Sequence, residues 1–437
     1  MSYVEIVAPE ALNNCSIQLP PSKSVANRIL IMAALGAVEP QAVLRRPLNE
    51  LCDDISALAR LIQIVFNHRK QDSLHDTYNQ DSHHDTYNQD SLHDTYNQGS
   101  PSIVDIGAAG TAMRFGTAYL AVTSGRYIIT GTERIRQRPI GILVEALRGL
   151  GADIEYGGEE GFPPLHIVGN PDMHGGQLVL KGNVSSQFIS ALLMIAPTLK
   201  GGLTLTLEGD IVSRPYIDLT ISLMQQFGAK ACWVDERVIR IDESPITTPA
   251  DIAIEADWTA ASYWYEIEAL SHSGTIEFRK QLNYDSMQGD KVCDDIFERI
   301  KSYVSMRSQS GPFNYDFTRC PDLAQTIVVT CCMLDVPFVF TGLQTLRIKE
   351  TDRIAALATE LMKLGYVVQT SESTIGWDGG RCTPQANPVI QTYHDHRMAM
   401  AFAPCAIKLK HLSIADPDVV TKSYPTYWRD LSAAGLL

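Results

Sequence analysis

What the chain lacks narrows it first. Its nine cysteines form no C-x-x-C pair and no zinc-like spacing. The count is odd, the intervals are irregular and Cys331 and Cys332 are neighbours, which reads as free thiols in a reducing compartment rather than a disulfide frame. Residues 1–14 have no basic segment followed by an apolar one, so no signal peptide is expected. The most apolar stretches, Ala191–Pro197 and Ile327–Phe340, are too short or too interrupted to span a bilayer, and the expected location is the cytoplasm. Positive charge is in deficit: 36 Lys and Arg against 50 Asp and Glu give a net charge of −14. That balance speaks against nucleic acid or an acidic membrane as partner. A Walker A motif is absent.

What is present describes an ordinary globular chain of 437 residues, 45% apolar and 20% charged, long enough for about two domains. Short β-rich runs alternate with amphipathic helices. The runs are Ile103–Ile106, Tyr127–Thr130, Gln177–Leu180, Leu203–Glu208, Val238–Ile241, Thr275–Phe278 and Phe338–Thr341, and the alternation predicts α/β or α+β layers. Three segments share one design, each an amphipathic helix ended by a glycine and followed by a strand: Leu147–Ile154 around Gly151, Met224–Ala231 around Gly228, and Leu361–Val368 around Gly365. Degenerate copies lie at Ala57–Val65 and Ile296–Val304, so the fold is expected to repeat one helix–strand unit. Residues 71–97 differ in kind, being three near-identical nonapeptides with no apolar periodicity. They read as a mobile insertion in an exposed surface loop. His75, His83, His84 and His93 beside aspartates have metal-binding chemistry, but the spacing does not define a ligand set, and no metal is expected.

The chemistry centres on Arg347-Ile-Lys-Glu-Thr-Asp-Arg353, which opens directly onto a helix with Ile354, Leu357, Leu361 and Leu364 on one face. Bases at a helix N-terminus are repelled by about 0.3–1 kcal/mol each; an anionic ligand there would remove the conflict. Lys23 and Arg28, Arg114, Arg138 before Pro139, and Arg397 repeat the arrangement. One exposed base at a helix start is usually just solvated, but five suggest a basin for phosphates and carboxylates. Ser22, Lys23 and Ser24 open the first helix. Gly107–Arg114 is a small-residue turn that lets amides approach an anion. Ser185, Ser186 and Gln187 precede an apolar helix. Asp322 and Glu350 are acid–base candidates, because cations keep a carboxylate ionised while an apolar wall lets it carry a proton. His394-Asp-His396-Arg397 has a His-x-His spacing without a third ligand, so Arg397 is read as an anion contact and His396 as making a local hydrogen bond.

Taken in order from Pro20 to Leu431, these motifs resemble the 5-enolpyruvylshikimate-3-phosphate (EPSP) synthases, enolpyruvyl transferases of the shikimate pathway. The resemblance rests on Pro-Ser-Lys23-Ser-x-x-x-Arg28, Gly-x-Ala-Gly110-Thr-Ala-Met-Arg114 and Arg134-Ile-Arg-Gln-Arg138-Pro. It continues through Val-Ser185-Ser-Gln187-Phe, Ser213-Arg-Pro-Tyr216, Ser286-Met-Gln-Gly-Asp290 and Pro-Asp322. It ends with Arg347-Ile-Lys-Glu-Thr-Asp-Arg353, Asp395-His-Arg-Met-Ala-Met400 and Lys422-Ser-Tyr-Pro-Thr-Tyr427. It implies an α/β (α+β) fold of two domains, each of three βαβαββ units in an inside-out α/β barrel. Residues 21–253 would form the N-terminal domain, on the 3-phosphate side and with the repeat insertion, and 1–20 plus 254–437 the C-terminal one. Ligands would bind between domains that close on hinges near Pro20 and Ala253–Asp257.

Carried over position by position, the resemblance assigns phosphoenolpyruvate to Lys23, Gly110, Arg138, Gln187, Arg353, Arg397 and Lys422. Shikimate-3-phosphate falls to Lys23, Ser24, Arg28, Ser185, Ser186, Gln187, Ser213, Tyr216, Asp322 and Lys349. Asp322 would take the 5-hydroxyl proton, with Glu350, Lys23 and His396 in proton delivery. The implied reaction is addition of that hydroxyl to phosphoenolpyruvate and elimination of phosphate, with no metal or cofactor, in a monomer open to glyphosate-like competitors. Ala108 and Thr345 stand where the family usually has asparagine, which bears on phosphoenolpyruvate or glyphosate affinity and on a substrate hydroxyl contact. Two alternatives are weighed. The sister transferases acting on UDP-N-acetylglucosamine open on Lys-Asn, whereas Lys23 is followed by Ser24. A silent anion binder would have no need of intact Lys23, Asp322, Glu350 and Lys422.

Overall fold

The computed structural model describes residues 2–80, 100–271, 273–306 and 311–437. The chain forms two compact units. The first comprises Met1–Val25, Val212–Leu219 and Ile254–Leu437, and the second Ala26–Ile211 and Thr220–Ala253.

The second unit holds two four-stranded sheets of one design. In the first sheet the spatial order is Ser102–Asp105, Gly125–Thr130, Leu165–Gly169, Asp153–Tyr156, with the leading pair parallel and the rest antiparallel. The other sheet repeats this with His174–Lys181, Lys200–Glu208, Val238–Ile241 and Ala231–Trp233. The first unit contains a third copy, Phe313–Asp316, Phe338–Thr341, Ile375–Trp377 and Gln369–Thr370. In each copy one helix links the parallel strands and a second leads to the closing hairpin, which is the expected βαβαββ unit. The first unit adds two smaller sheets. Val389–Ile390 pairs in parallel with His411–Ala415, whose other edge takes Tyr3–Val7, and Cys15–Ser16 runs parallel to Ile276–Glu277. Three complete four-stranded copies are therefore seen among the described residues, not six.

The helices that link parallel strands are the most buried. Gly110–Ala121, Ala324–Met333 and His396–Phe402 are buried at every position, as a helix packed on all sides must be. In the first unit Trp258 and Trp264 share one core with the helices Ala324–Met333 and His396–Phe402. Each buried large side chain contributes about 1.5–3 kcal/mol.

The three glycine stops form as read. Gly151, Gly228 and Gly365 take φ of +92°, +85° and +93°. Their N–H groups bond to Arg148, Gln225 and Met362, and those of the following residues to Leu147, Met224 and Leu361, a Schellman pair each time. The expected strands also form, with ends shifted by a residue or a few.

Two expectations are corrected. The helix Asp53–Gln80 continues through the first nonapeptide; extending an anchored helix costs far less than nucleating one, and Ile55, Leu58, Leu61 and Val65 anchor it. The other two copies beyond Gln80, with His83, His84 and His93, and the side chain of His75, lie outside the described residues. Val212–Leu219, within the segment read as the N-terminal domain, groups with the first unit, held by Ser213 N–H on Thr318 and by Tyr216 on Asp290. Among the described residues no helix is long and apolar enough to cross a membrane.

The glycine stops give a test. At Gly228 an added Cβ meets nothing closer than 3.9 Å, whereas at Gly365 it lies 3.1 Å from the Cys382 carbonyl. Gly228→Ala is expected to cost about 1–2 kcal/mol from the left-handed backbone alone, and Gly365→Ala more. Urea midpoints of the two variants check the order; equal and negligible shifts would contradict it.

Candidate active site

Every residue assigned by the family resemblance follows the C-terminal end of a strand in a parallel pair. Lys23, Ser24 and Arg28 come after Cys15–Ser16, Gly110 after Ser102–Asp105, and Arg138 after Gly125–Thr130. Ser185–Gln187, Ser213 with Tyr216, Asp322, Lys349–Arg353, His396 with Arg397, and Lys422 follow six further parallel strands. Ligands of open α/β sheets bind at such strand ends, where helix N-termini begin.

In the first unit the chemistry gathers around one guanidinium. Arg353 is 1% exposed. Its Nε donates to Asp395 Oδ2 at 2.6 Å, Nη1 to Asp322 Oδ1 at 2.9 Å, and Nη2 to Glu350 Oε2 at 2.9 Å and Asp395 Oδ1 at 3.3 Å. Further cations sit on these carboxylates. Lys422 Nζ is 2.6 Å from Glu350 Oε1, Arg397 Nη2 is 3.1 Å from Asp322 Oδ2, and Lys349 Nζ is 3.5 Å from Asp322 Oδ1.

The charge conflict read at these helix starts is answered from within. Asp352 caps the helix Arg353–Lys363 through the Ala355 N–H, Asp395 caps His396–Phe402 through the Arg397 N–H, and Asp257 takes the Lys23 N–H. Acids thus occupy the positive ends of the helices, as the dipole requires. The side chains of Arg353 and Arg397 turn to carboxylates. Lys23 is also fixed through its neighbour: Ser22 Oγ donates to Gln288, whose amide donates to Glu255 and the Ala256 carbonyl.

Electrostatics separates the groups. Burial pushes the Asp322 carboxyl up, but Arg397, Lys349 and Arg353 override it and hold it well below the usual range. Burial pulls the Lys349 ammonium down, helped by Arg353 and Arg397 against the pull of Asp322 and Glu350. Burial, then Lys23, Arg397 and Lys422, holds His396 well below its ordinary value, so its ring is neutral at pH 7. The local hydrogen bond expected from His396 is not formed, and both ring nitrogens are buried without a partner. Asp395 Oδ1, 3.6 Å from Nδ1, already serves Arg353 and the Arg397 N–H.

Ser213 and Tyr216 belong to the same unit. Ser213 has φ +56°, and Tyr216 Oη donates to Asp290 Oδ1 at 3.2 Å. Gly289 packs so closely on Pro215 that a Cβ would come within 2.9 Å.

In the second unit Gly110 makes room for two arginines: a Cβ there would lie 2.5 Å from Arg138 Nη1 and 2.9 Å from Arg114 Nη1. Gln187 Nε2 donates to Thr111 at 3.1 Å, and Ser185 caps its helix by accepting the Gln187 N–H. Ser186 begins that helix. Arg28 is buried, donates to Thr220 at 2.7 Å and Ser190 at 3.0 Å, and faces the Phe115 ring. The helix-start bases thus fall in two groups. Lys23, Arg353 and Arg397 lie in the first unit, and Arg28, Arg114 and Arg138 in the second, where the last two border one glycine.

The family model for EPSP synthase (3-phosphoshikimate 1-carboxyvinyltransferase) matches residues 8–431. The chain belongs to the EPSP synthase family. A 3-phosphoshikimate 1-carboxyvinyltransferase of Bacteroides fragilis is 48% identical, with 100% of this chain and 98% of that protein covered. One from a Marinomonas species is 34% identical, with 97% of each covered. The EPSP synthase of Acinetobacter baumannii shares the fold, with a TM-score of 0.67 at 19% identity over 100% of this chain and 99% of that one.

Within this EPSP synthase family member, the two departures from the family pattern look different from each other. Ala108 is exposed beside Gly107, whose N–H bonds to Asp105. Thr345 Oγ1 is buried without a partner. Three residues were given no role from sequence: Asp395, Asp290 and Gln288. Asp395 was findable as an acid directly before a helix. The others reveal themselves only through partners far along the chain.

Asp290 gives a pH prediction. Burial, then the Asp322 charge, raises its carboxyl to about 6, against Arg397 and the Thr259 hydroxyl. An acid raised above its unfolded value contributes stability that is present below about pH 4 and lost as pH climbs through about 6. Two pK units correspond to roughly 3 kcal/mol. Asp290→Asn removes this titration, so the parent is expected to lose stability relative to the variant between pH 4 and 6.5. Parallel melting curves across that range would refute it.

Proposed function

We propose that this chain transfers the enolpyruvyl group of phosphoenolpyruvate to the 5-hydroxyl of shikimate-3-phosphate. The O5–C2 bond forms as C3 takes a proton. The tetrahedral intermediate then loses inorganic phosphate from C2 and the proton from C3. Asp322 accepts the hydroxyl proton, and Lys23 and Glu350 handle the proton at C3. His396, neutral in its surroundings, serves as a polar contact more readily than as a cationic acid. Lys23, Arg353, Arg397 and Lys422, with Gly110, Arg138 and Gln187, hold phosphoenolpyruvate. Lys349, Ser213, Tyr216, Ser185 and Ser186 take the shikimate phosphate side, and Ser24 and Arg28 the ring carboxylate. Preorganised cations stabilise charge that develops in both steps. The chain is proposed to work as a cytoplasmic monomer.

The observation that carries this reading is the linked chain Arg397–Asp322–Arg353–Glu350–Lys422, each within 3.1 Å of the next, in a chain of this family. It offers a base, an acid and cations in contact, which a silent binder has no reason to keep. Phosphate release on mixing phosphoenolpyruvate with shikimate-3-phosphate, and none with UDP-N-acetylglucosamine, is the expected result; release with the second acceptor alone would overturn it. Glu350→Gln and Asp322→Ala are expected to lower kcat by about 100-fold or more with modest changes in KM. Near-normal turnover in both would remove the acid–base assignment.

A further inference from the structure

The segment that presents Asp395, His396 and Arg397 is held in an unfavourable backbone shape. Tyr393 and His394 have φ of +52° and +57°, two consecutive side-chain-bearing residues in the left-handed region. Such a shape persists only where the surroundings over-determine it. Glu360 provides the restraint. It lies in the helix Arg353–Lys363 and is 0% exposed. Its Oε1 accepts from Tyr393 Oη at 2.6 Å, and its Oε2 accepts from the Gln391 N–H at 3.0 Å and from Lys363 Nζ at 2.7 Å. Lys363 Nζ also donates to the Val389 carbonyl at 3.0 Å. One helix therefore grips the turn on both sides of the strained pair, through Glu360 before it and through Arg353 on Asp395 after it.

We infer that Glu360 is a positioning residue for the phosphoenolpyruvate contacts. By fixing Gln391 and Tyr393 it keeps the left-handed pair from relaxing, and so sets where Arg397 and His396 point. No catalytic contact is assigned to it. The inference rests on the proposed role of Arg397 in holding phosphoenolpyruvate.

The test is steady-state kinetics of Glu360→Gln, Glu360→Ala and Tyr393→Phe, with folding followed by circular dichroism. For Glu360→Ala, KM for phosphoenolpyruvate is expected to rise about tenfold or more, with KM for shikimate-3-phosphate changing less than about threefold. Glu360→Gln and Tyr393→Phe should show the same split at about two- to fivefold. The double variant Glu360→Ala/Arg397→Ala should bind phosphoenolpyruvate no worse than Arg397→Ala, because residues acting through one another are not additive. A folded Glu360→Ala with parental constants, equal rises in both KM values, or additive losses would overturn the inference. If Glu360→Ala does not fold, the milder pair decides, and parental constants in both overturn it. If Arg397→Ala keeps the parental KM for phosphoenolpyruvate, the reading of Arg397 fails and takes this inference with it. If Arg397→Ala is impaired while the Glu360 variants are not, the inference alone fails.

Discussion

The Arg353 guanidinium is the contact on which the first unit's chemistry depends. A buried cation is tolerated only if its desolvation is met by well-aligned opposite charge. Asp395, Asp322 and Glu350 meet it from three separate stretches of chain. Removing one member of such a set leaves uncompensated charge and costs about 3–5 kcal/mol, yet apolar residues of equal volume would often be as stable. Stability alone therefore does not explain the cluster. Under the proposed function its chemical value does: two of the three carboxylates also carry Arg397, Lys349 and Lys422, the residues matched to ligand contacts.

The repeated βαβαββ unit explains how so many helix starts come to carry chemistry. Each copy has two parallel strands whose C-terminal ends feed helices. Gly110, Ser185 and Asp322 occupy the first of these positions in the three full copies, and Arg138, Ser213 and Arg353 the second. The positions are equivalent but their residues are not. A helix dipole helps at every one, and each copy has specialised its side chains.

Much of this was legible in the sequence. Glycine stops at Gly151, Gly228 and Gly365 are local signals, since only the residue's own backbone and the preceding turn decide them. Strand runs such as Val238–Ile241 and Phe338–Thr341 were equally local. The helix-start bases were visible as an anomaly, but their resolution was not. Asp352 and Asp395 could be read as caps, whereas the bonds from Arg353 to Asp322 and Asp395 join residues 31 and 42 positions apart. The same limit hid Asp290 under Tyr216 and Glu360 under Tyr393. The first nonapeptide misled for a different reason. Its composition argues for coil, but the apolar face of residues 55–65 lies upstream, and a helix anchored there runs on through polar sequence.

The internal pairing also bears on how a base so strongly held can act. Asp322 is kept well below the usual carboxylate range by Arg397, Lys349 and Arg353, and a carboxylate in that state accepts a proton poorly. Under the proposed reading the anionic groups of the two substrates compete for Arg397, Arg353 and Lys349. Each cation drawn towards a phosphate or carboxylate is partly withdrawn from Asp322, and the arriving negative charge raises its pKa further. Both effects have the same sign. The ligand-free pairing thus keeps the base ionised and in register, and the substrates themselves bring its basicity up when a hydroxyl is there to be deprotonated.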